Sequence, residues 1–177
     1  NSGAIAARPN TWKNMVRPGL SLYGYYLPFT SAITGTPDSS YELPVQPALT
    51  WKTRIIALRD VAAHQPVGYS GAYVTQAPAK IAILPVGYAD GFSRQLSSRG
   101  RVIVRGDYAS VIGNVAMDLT TVDVTGIPGV EVGDEVILLG ASGARRVTAW
   151  DHAGLSMTLP YEVLCGISKR VPRMYVE

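Results

Sequence analysis

Along the second half of the chain, apolar residues fall in short blocks of four to seven, separated by glycine, proline and aspartate. Trp51-Lys-Thr-Arg-Ile-Ile-Ala-Leu-Arg59 is rich in β-branched and aromatic residues and predicts a strand. The stretch around Tyr69 predicts another. Lys80-Ile-Ala-Ile-Leu-Pro-Val86 is apolar enough to be covered on both sides, with Pro85 marking its end or an edge. Arg101 to Arg105 and Tyr108 to Ile112 flank Gly106-Asp107, a pair that predicts a tight hairpin with a primed turn. Leu119 to Val124 and Glu135 to Leu139 follow, separated by Gly126, Pro128, Gly129 and Gly133-Asp134. Short strands at regular turn spacing predict a small barrel or sandwich. The pattern then becomes helical. Thr148-Ala-Trp-Asp151 has the form of a capping box, and Thr158-Leu-Pro-Tyr-Glu162 offers a second N-cap with proline in the first turn. Tyr161, Leu164, Cys165 and Ser168 would share one face of that last helix. Arg170-Val-Pro-Arg173 is a basic exit before a final short strand.

The first segment reads differently. Asn1-Ser-Gly-Ala-Ile-Ala-Ala-Arg8 pairs a hydroxyl with helix-forming alanines, which suits an N-cap at Ser2 or an anion held by its hydroxyl. Met15-Val16 predicts a short strand, and Pro18 suits the first position of a helix. The N–H groups of Gly19 and Leu20 would then point out of a helix start, where phosphate is favourably bound. A turn with a solvated Arg17 explains the same residues equally well. Pro28, Pro37, Pro44 and Pro47, with Gly35, Ser39 and Ser40 between them, predict a surface excursion. It places a domain boundary near Leu43, dividing the chain into residues 1–43 and 44–177.

Composition narrows the function. The 177 residues are 47% hydrophobic but only 16% charged, below the usual quarter, which suggests surface covered by a partner or a further domain. The net charge of +3 is scattered, so nucleic acid has little support as a partner. One cysteine, Cys165, excludes an intrachain disulfide and fits a reducing compartment; its apolar surroundings predict core packing. His64 and His152 lack ligand-type spacing, so no protein-bound metal is expected. No apolar run approaches the roughly 18 residues that span a bilayer. No signal peptide opens the chain, and the expected location is cytoplasmic.

The chemistry centres on Pro66-Val-Gly-Tyr-Ser-Gly-Ala-Tyr73. Glycine inside a β-like run usually marks a close approach to the backbone, and here it frames Tyr69. On these residues alone, a strand tyrosine packing on a neighbour serves as well.

Taken together, six motifs in order resemble alanine racemase. They are Asn1-Ser2, Met15-Val-Arg-Pro-Gly-Leu-Ser-Leu-Tyr-Gly24, Val67-Gly-Tyr-Ser-Gly71, Gly87-Tyr-Ala-Asp-Gly91, Ala116-Met-Asp118, and Pro160-Tyr-Glu162 with Arg170-Val-Pro-Arg173. The resemblance covers the whole chain but only the second half of the family's protein. It implies a mainly β fold, a small β-barrel-like C-terminal domain with short helices. Residues 1–43 would be the end of a cofactor-binding (β/α)8 barrel. It implies a pyridoxal 5'-phosphate enzyme that interconverts L- and D-alanine, the D-isomer serving peptidoglycan. The family works as a head-to-tail homodimer in which each β domain completes the partner's active site.

Residue by residue, Tyr69 matches the tyrosine that handles the substrate α-proton on one face. Ser2, Gly19, Leu20 and Tyr161 match groups that hold the cofactor phosphate, and Arg17 the arginine facing the pyridine nitrogen. Met117, Asp118 and Tyr88 match residues near the substrate carboxylate and at the mouth of the substrate passage. Racemisation needs a second base, a lysine that also carries the cofactor, in a motif resembling Lys-Ala-Asn-Ala-Tyr-Gly. None of Lys13, Lys52, Lys80 or Lys169 stands in that context. A free tyrosine has a pKa near 10, so Tyr69 also needs a relay to act as a base, and the family's relay lies upstream. The chain alone is therefore expected to be inactive. The family often has Gly-Arg before its Ala-Met-Asp motif, where this chain has Gly113-Asn114. Two alternatives remain open on sequence: a related racemase of serine or another small amino acid, and a non-catalytic dimerisation module.

Overall fold

A computed structural model describes residues 1–27, 30, 35, 36 and 43–176. Most of the expected proline-rich excursion, including Pro28, Pro37, Ser39 and Ser40, lies outside the described residues. The chain divides into two compact units, Asn1–Leu49 and Thr50–Glu177.

In the first unit, α1 (Ser2–Ala7) begins at Asn1, whose side chain accepts the Ala4 N–H at 2.9 Å. Asn1, not Ser2, is the cap, and this leaves the Ser2 hydroxyl for other partners. Met15 and Val16 form no strand and are 73% and 46% exposed. A 3-10 turn, Leu20–Tyr23, follows with Gly19 as its N-cap, so its first residue comes two later than the expected Pro18. It closes on Gly24 at φ 79°, where a Cβ would collide with the main chain at Gln46.

The second unit is a curled antiparallel sheet. The predicted strand over 51–59 is two strands, β1 (Trp51–Arg54) and β2 (Ala57–Val61). Ile55 and Ile56 form the corner between them, and the two strands pair with different partners. β3 (Pro66–Val67) and β4 (Tyr73–Val74) form a separate two-stranded ribbon. Next come β5 (Ala79–Leu84), β6 (Arg101–Val104), β7 (Asp107–Val111), β8 (Thr120–Asp123), β9 (Glu135–Ser142) and β10 (Arg145–Val147). The main sheet runs β1-β9-β6-β7-β8-β5-β2, with β10 added to β9. Its two end strands are consecutive in sequence and joined by the Ile55-Ile56 corner, so the sheet curls round into a barrel-like form.

The apolar blocks do what their composition requires. Val136 to Leu139 of β9 are all buried, as expected for a strand covered on both faces. β5 lies between β2 and β8, and Pro85 falls just beyond its end, where its missing N–H breaks no ladder bond. The β6–β7 hairpin turns at Arg105-Gly106, one residue before the expected pair. Both residues have positive φ, 51° and 86°, as a primed turn demands.

α2 (Ala149–Ser156) starts with the expected box: the Thr148 Oγ1 accepts the Asp151 N–H, and the Asp151 carboxylate accepts the Thr148 N–H at 2.8 Å. Thr148→Ala should therefore cost about 1 kcal/mol of unfolding free energy, measured by urea titration. α3 (Pro160–Gly166) is capped by Leu159 rather than Thr158, whose hydroxyl instead bonds the Glu162 carboxylate. Ser168 lies past its end. Cys165 is exposed, not in the core, because α3 turns Leu164 inward instead. Residues 171–176 form no strand.

Candidate active-site elements

The Tyr69 stretch is not a strand. Tyr69–Gly71 is a 3-10 turn at the tip of the β3–β4 ribbon, with Gly68, Ser70 and Gly71 at φ 77°, 59° and 58°. These conformations explain the glycine frame: the chain reverses through left-handed backbone, which strands do not use. The tip is anchored from below, where Val67 packs with Ile81 and Ile112 and with the partly buried Tyr73. Asn114 braces it from the side, donating from Nδ2 to the Tyr69 carbonyl at 3.4 Å. The residue that departs from the family's Gly-Arg pattern thus supports the turn. The Tyr69 ring itself is 73% exposed, held by its backbone and projecting from the domain.

A second group gathers three segments distant in sequence. Gly87-Tyr-Ala-Asp-Gly91 makes a 3-10 turn, Tyr88–Asp90, seated on Ala116-Met117. The Tyr88 N–H donates to the Ala116 carbonyl and the Ala89 N–H to the Met117 carbonyl, each at 3.0 Å. The approach is so close that a Cβ on Gly87 would overlap both carbonyl oxygens. Gly87→Ala should cost about 2 kcal/mol, read as a lowered urea midpoint, because backbone on both sides must shift. From the other side, the Ser168 N–H donates to the Asp90 carbonyl at 2.9 Å, and Gly91, at φ 104°, lies against Gly166.

Arg170 joins the segments. Its Nη2 lies 2.6 Å from Asp118 Oδ1, and its Nε 3.4 Å from Asp90 Oδ1. The other Asp90 oxygen accepts the Gly87 N–H at 3.0 Å. The hydrogen bond to Asp118, with the charge of Asp90 behind it, pushes the guanidinium pKa up from its ordinary value. Arg173 is spent on the carbonyls of Ile167, Ser168 and Val171, and so fixes the path that delivers Arg170. The outward side chains of this group are Tyr88, 42% exposed, and Met117, 53% exposed. On sequence Arg170 stands in a basic exit and in one of the motifs that resemble the family, but without a role of its own; the pairing with carboxylates 52 and 80 residues away left no local signal.

Tyr161 is the second residue of α3 and half-exposed. In the first unit, Ser2, Gly19 and the turn at Leu20 do come together. The Ser2 Oγ is buried and accepts the N–H of Gly19 at 3.0 Å and of Ser21 at 3.4 Å, with the Ser21 hydroxyl 3.1 Å away. Leu20 contributes a buried side chain beneath the turn. Ser21 was not foreseen, although a second hydroxyl two residues after Gly19 was visible. Arg17 is exposed two residues before Gly19. Among the described residues, no cluster of His, Cys, Asp and Glu is placed to hold a metal ion, and no helix is long and apolar enough to cross a membrane.

A curled, mainly antiparallel β domain with two short helices at its end is the class of fold that this chain defines, and direct comparison identifies its family. The family model "Alanine racemase, C-terminal domain" matches residues 48–175. The "Alanine racemase 2" of Caldanaerobacter subterraneus subsp. tengcongensis is 44% identical over 176 residues, 99% of this chain and 43% of that protein. The alanine racemase of Halothermothrix orenii is 46% identical over 175 residues, 99% of this chain and 44% of its own length. Among solved structures, alanine racemase from E. faecalis superposes with a TM-score of 0.85 at 32% identity, over 99% of this chain and 44% of that one. The Bartonella henselae alanine racemase with covalently bound pyridoxal phosphate has a TM-score of 0.75 at 29% identity, covering 90% of this chain and 41% of that one. The chain belongs to the alanine racemase family. It spans less than half the length of these relatives.

Proposed function

We propose that this chain is the C-terminal part of a pyridoxal 5'-phosphate-dependent alanine racemase. Tyr69 is one of its two proton-handling groups, and the lysine that acts on the opposite face is supplied from outside these residues. The observation that carries the reading is the Tyr69 turn. A phenol 73% exposed, on a ribbon whose backbone is fixed by Val67, Asn114 and three positive-φ residues, is built to work outside its own domain. In the family's head-to-tail homodimer it would reach the partner's site, and residues 1–43 would be the end of the cofactor-binding barrel.

The donors around Ser2 fit a phosphate. The N–H groups of Gly19 and Ser21 and the Ser21 hydroxyl all lie within 3.4 Å of the Ser2 Oγ, which accepts from them in this structure, and a phosphate would take its place as their acceptor. Ser2, Gly19, Leu20 and Ser21 would hold the cofactor phosphate with Tyr161, and Arg17 would face the ring nitrogen. A guanidinium is strongly basic and does not give up a proton there. When bound, the cofactor delocalises the electron pair left on the substrate α-carbon. Tyr69 gives or takes the α-proton at its phenolic oxygen from one face, while Met117, through its N–H, orients the substrate carboxylate with Asp118 close by. Tyr88 borders the passage.

The test is a racemisation assay on the full-length protein with pyridoxal 5'-phosphate, following loss of optical activity from L- and from D-alanine, with serine as a competitor. Equal or better turnover of serine would transfer the reading to the related racemase. No turnover of either would leave the dimerisation module. The 177-residue chain mixed with the cofactor is expected to be inactive.

A further inference from the structure

The proposed chemistry uses Met117 and Asp118 but gives no work to Arg170, the cation that joins Asp118 to Asp90. Solvent-exposed ion pairs are commonly worth little to stability, about 0–1 kcal/mol, and the Arg170 and Asp118 side chains are each 53% exposed. A folding role alone is therefore a weak reason for a guanidinium to be aimed by Arg173 and Ser168 at two carboxylates at once. Its effect on charge is larger. Asp118 and Asp90 together place two negative charges beside the Met117 turn, and Arg170 reduces that sum to one. An amino-acid substrate brings a carboxylate of its own to this turn. Without Arg170 the approaching anion would meet a bare Asp118, and the Asp118 side chain would have no fixed direction.

We infer that Arg170 is a positioning residue for substrate binding: by holding Asp118 and offsetting its charge, it sets the Met117–Asp118 turn to receive the substrate carboxylate. The inference rests on the racemase reading. It assigns Asp118 to Arg170 rather than to direct contact with substrate, and makes Arg170 act through Asp118.

The experiment compares Arg170→Gln, Arg170→Lys, Asp118→Asn and the Arg170→Gln/Asp118→Asn double variant in the full-length protein. Initial rates on both alanine enantiomers are measured at low and high salt, with thermal unfolding in parallel. Arg170→Gln is expected to raise KM about tenfold with kcat within about threefold, the pattern of lost ground-state binding. Because the defect is repulsive and partly exposed, high salt should shrink it. Adding Asp118→Asn should restore most of KM, since the unpaired charge is then gone. Arg170→Lys keeps the charge but loses the fork, and should show an intermediate, salt-sensitive KM; it carries the test if the Gln variant does not fold. Unchanged KM in an active, folded variant, or a double variant no better than Arg170→Gln, would overturn the inference alone. An inactive wild type would overturn the racemase reading and this inference with it.

Discussion

Tyr69→Phe in the full-length protein is expected to fold normally and to lose about 10²–10⁴ in kcat, the usual contribution of a positioned acid–base group. The substitution deletes one oxygen. The ring is already largely in solvent, and the turn beneath it depends on Gly68, Ser70, Gly71 and Asn114, none of which bonds the phenol. Unfolding free energy should stay within about 0.5 kcal/mol of wild type, as for surface changes generally. The loss in rate corresponds to about 3–5 kcal/mol of transition-state stabilisation. A two-base mechanism predicts more than a slow enzyme. With the phenol gone, the remaining base can still exchange the α-proton of one enantiomer with solvent, but cannot deliver a proton to the other face. In deuterium oxide, one alanine enantiomer should therefore exchange without inverting, and the other should hardly exchange. Racemisation within twofold of wild type, or equal loss of exchange from both enantiomers, would remove Tyr69 from the role.

The β architecture was legible because burial on both faces forces continuous apolar blocks, and β5, β6 and β9 carry them. What did not show was the corner between the first two strands. Trp51 to Arg59 reads as one strand, since nothing in Ile55-Ile56 breaks β propensity. The break is imposed by pairing, with β1 joining β9 and β2 joining β5. The hairpin at Arg105-Gly106 was misplaced by one residue for a related reason. Aspartate is a common turn residue, but the turn needs positive φ at two adjacent positions, and the β6–β7 register selects Arg105 for one of them.

The site was legible where its motifs are local and obscure where it depends on distant pairing. The glycines around Tyr69 did mark a backbone constraint, although the constraint is a left-handed turn and not a close neighbour in a strand. Gly87 marked a close approach, to the carbonyls of Ala116 and Met117. Arg170 carried no such mark, because a charged residue in a polar tail looks alike whether or not a carboxylate is waiting for it. Cys165 erred in the opposite direction: apolar neighbours at helical spacing suggest burial, yet only one face of a two-turn helix can point inward, and Leu164 occupies it.

Stability should fall between about pH 6.5 and 4 by more than the paired carboxylates alone would produce, and His152 is the reason. It is 3% exposed, packed edge-on against Phe92 at 5.5 Å, with its Nε2 unpartnered. Burial disfavours the imidazolium and lowers the pKa from 6.5 to about 4, against the weaker opposing pull of Asp151 and of the Leu138 carbonyl. Between these two values the unfolded chain binds a proton that the folded chain refuses, so stability rises with pH across the window. The contribution is complete above about pH 6.5 and is lost as pH falls towards 4. A gap of that size corresponds to about 3 kcal/mol. His152→Leu removes the titrating group while roughly keeping its volume. Urea unfolding of the two proteins between pH 7.5 and 4 isolates the term, because every other carboxylate and histidine is common to both. The wild type should lose about 3 kcal/mol relative to the variant over that range, with most of the change between pH 6 and 4.5. Parallel stability curves would mean that His152 takes up its proton in the folded state, and that the pocket beside Phe92 is not the barrier its burial implies.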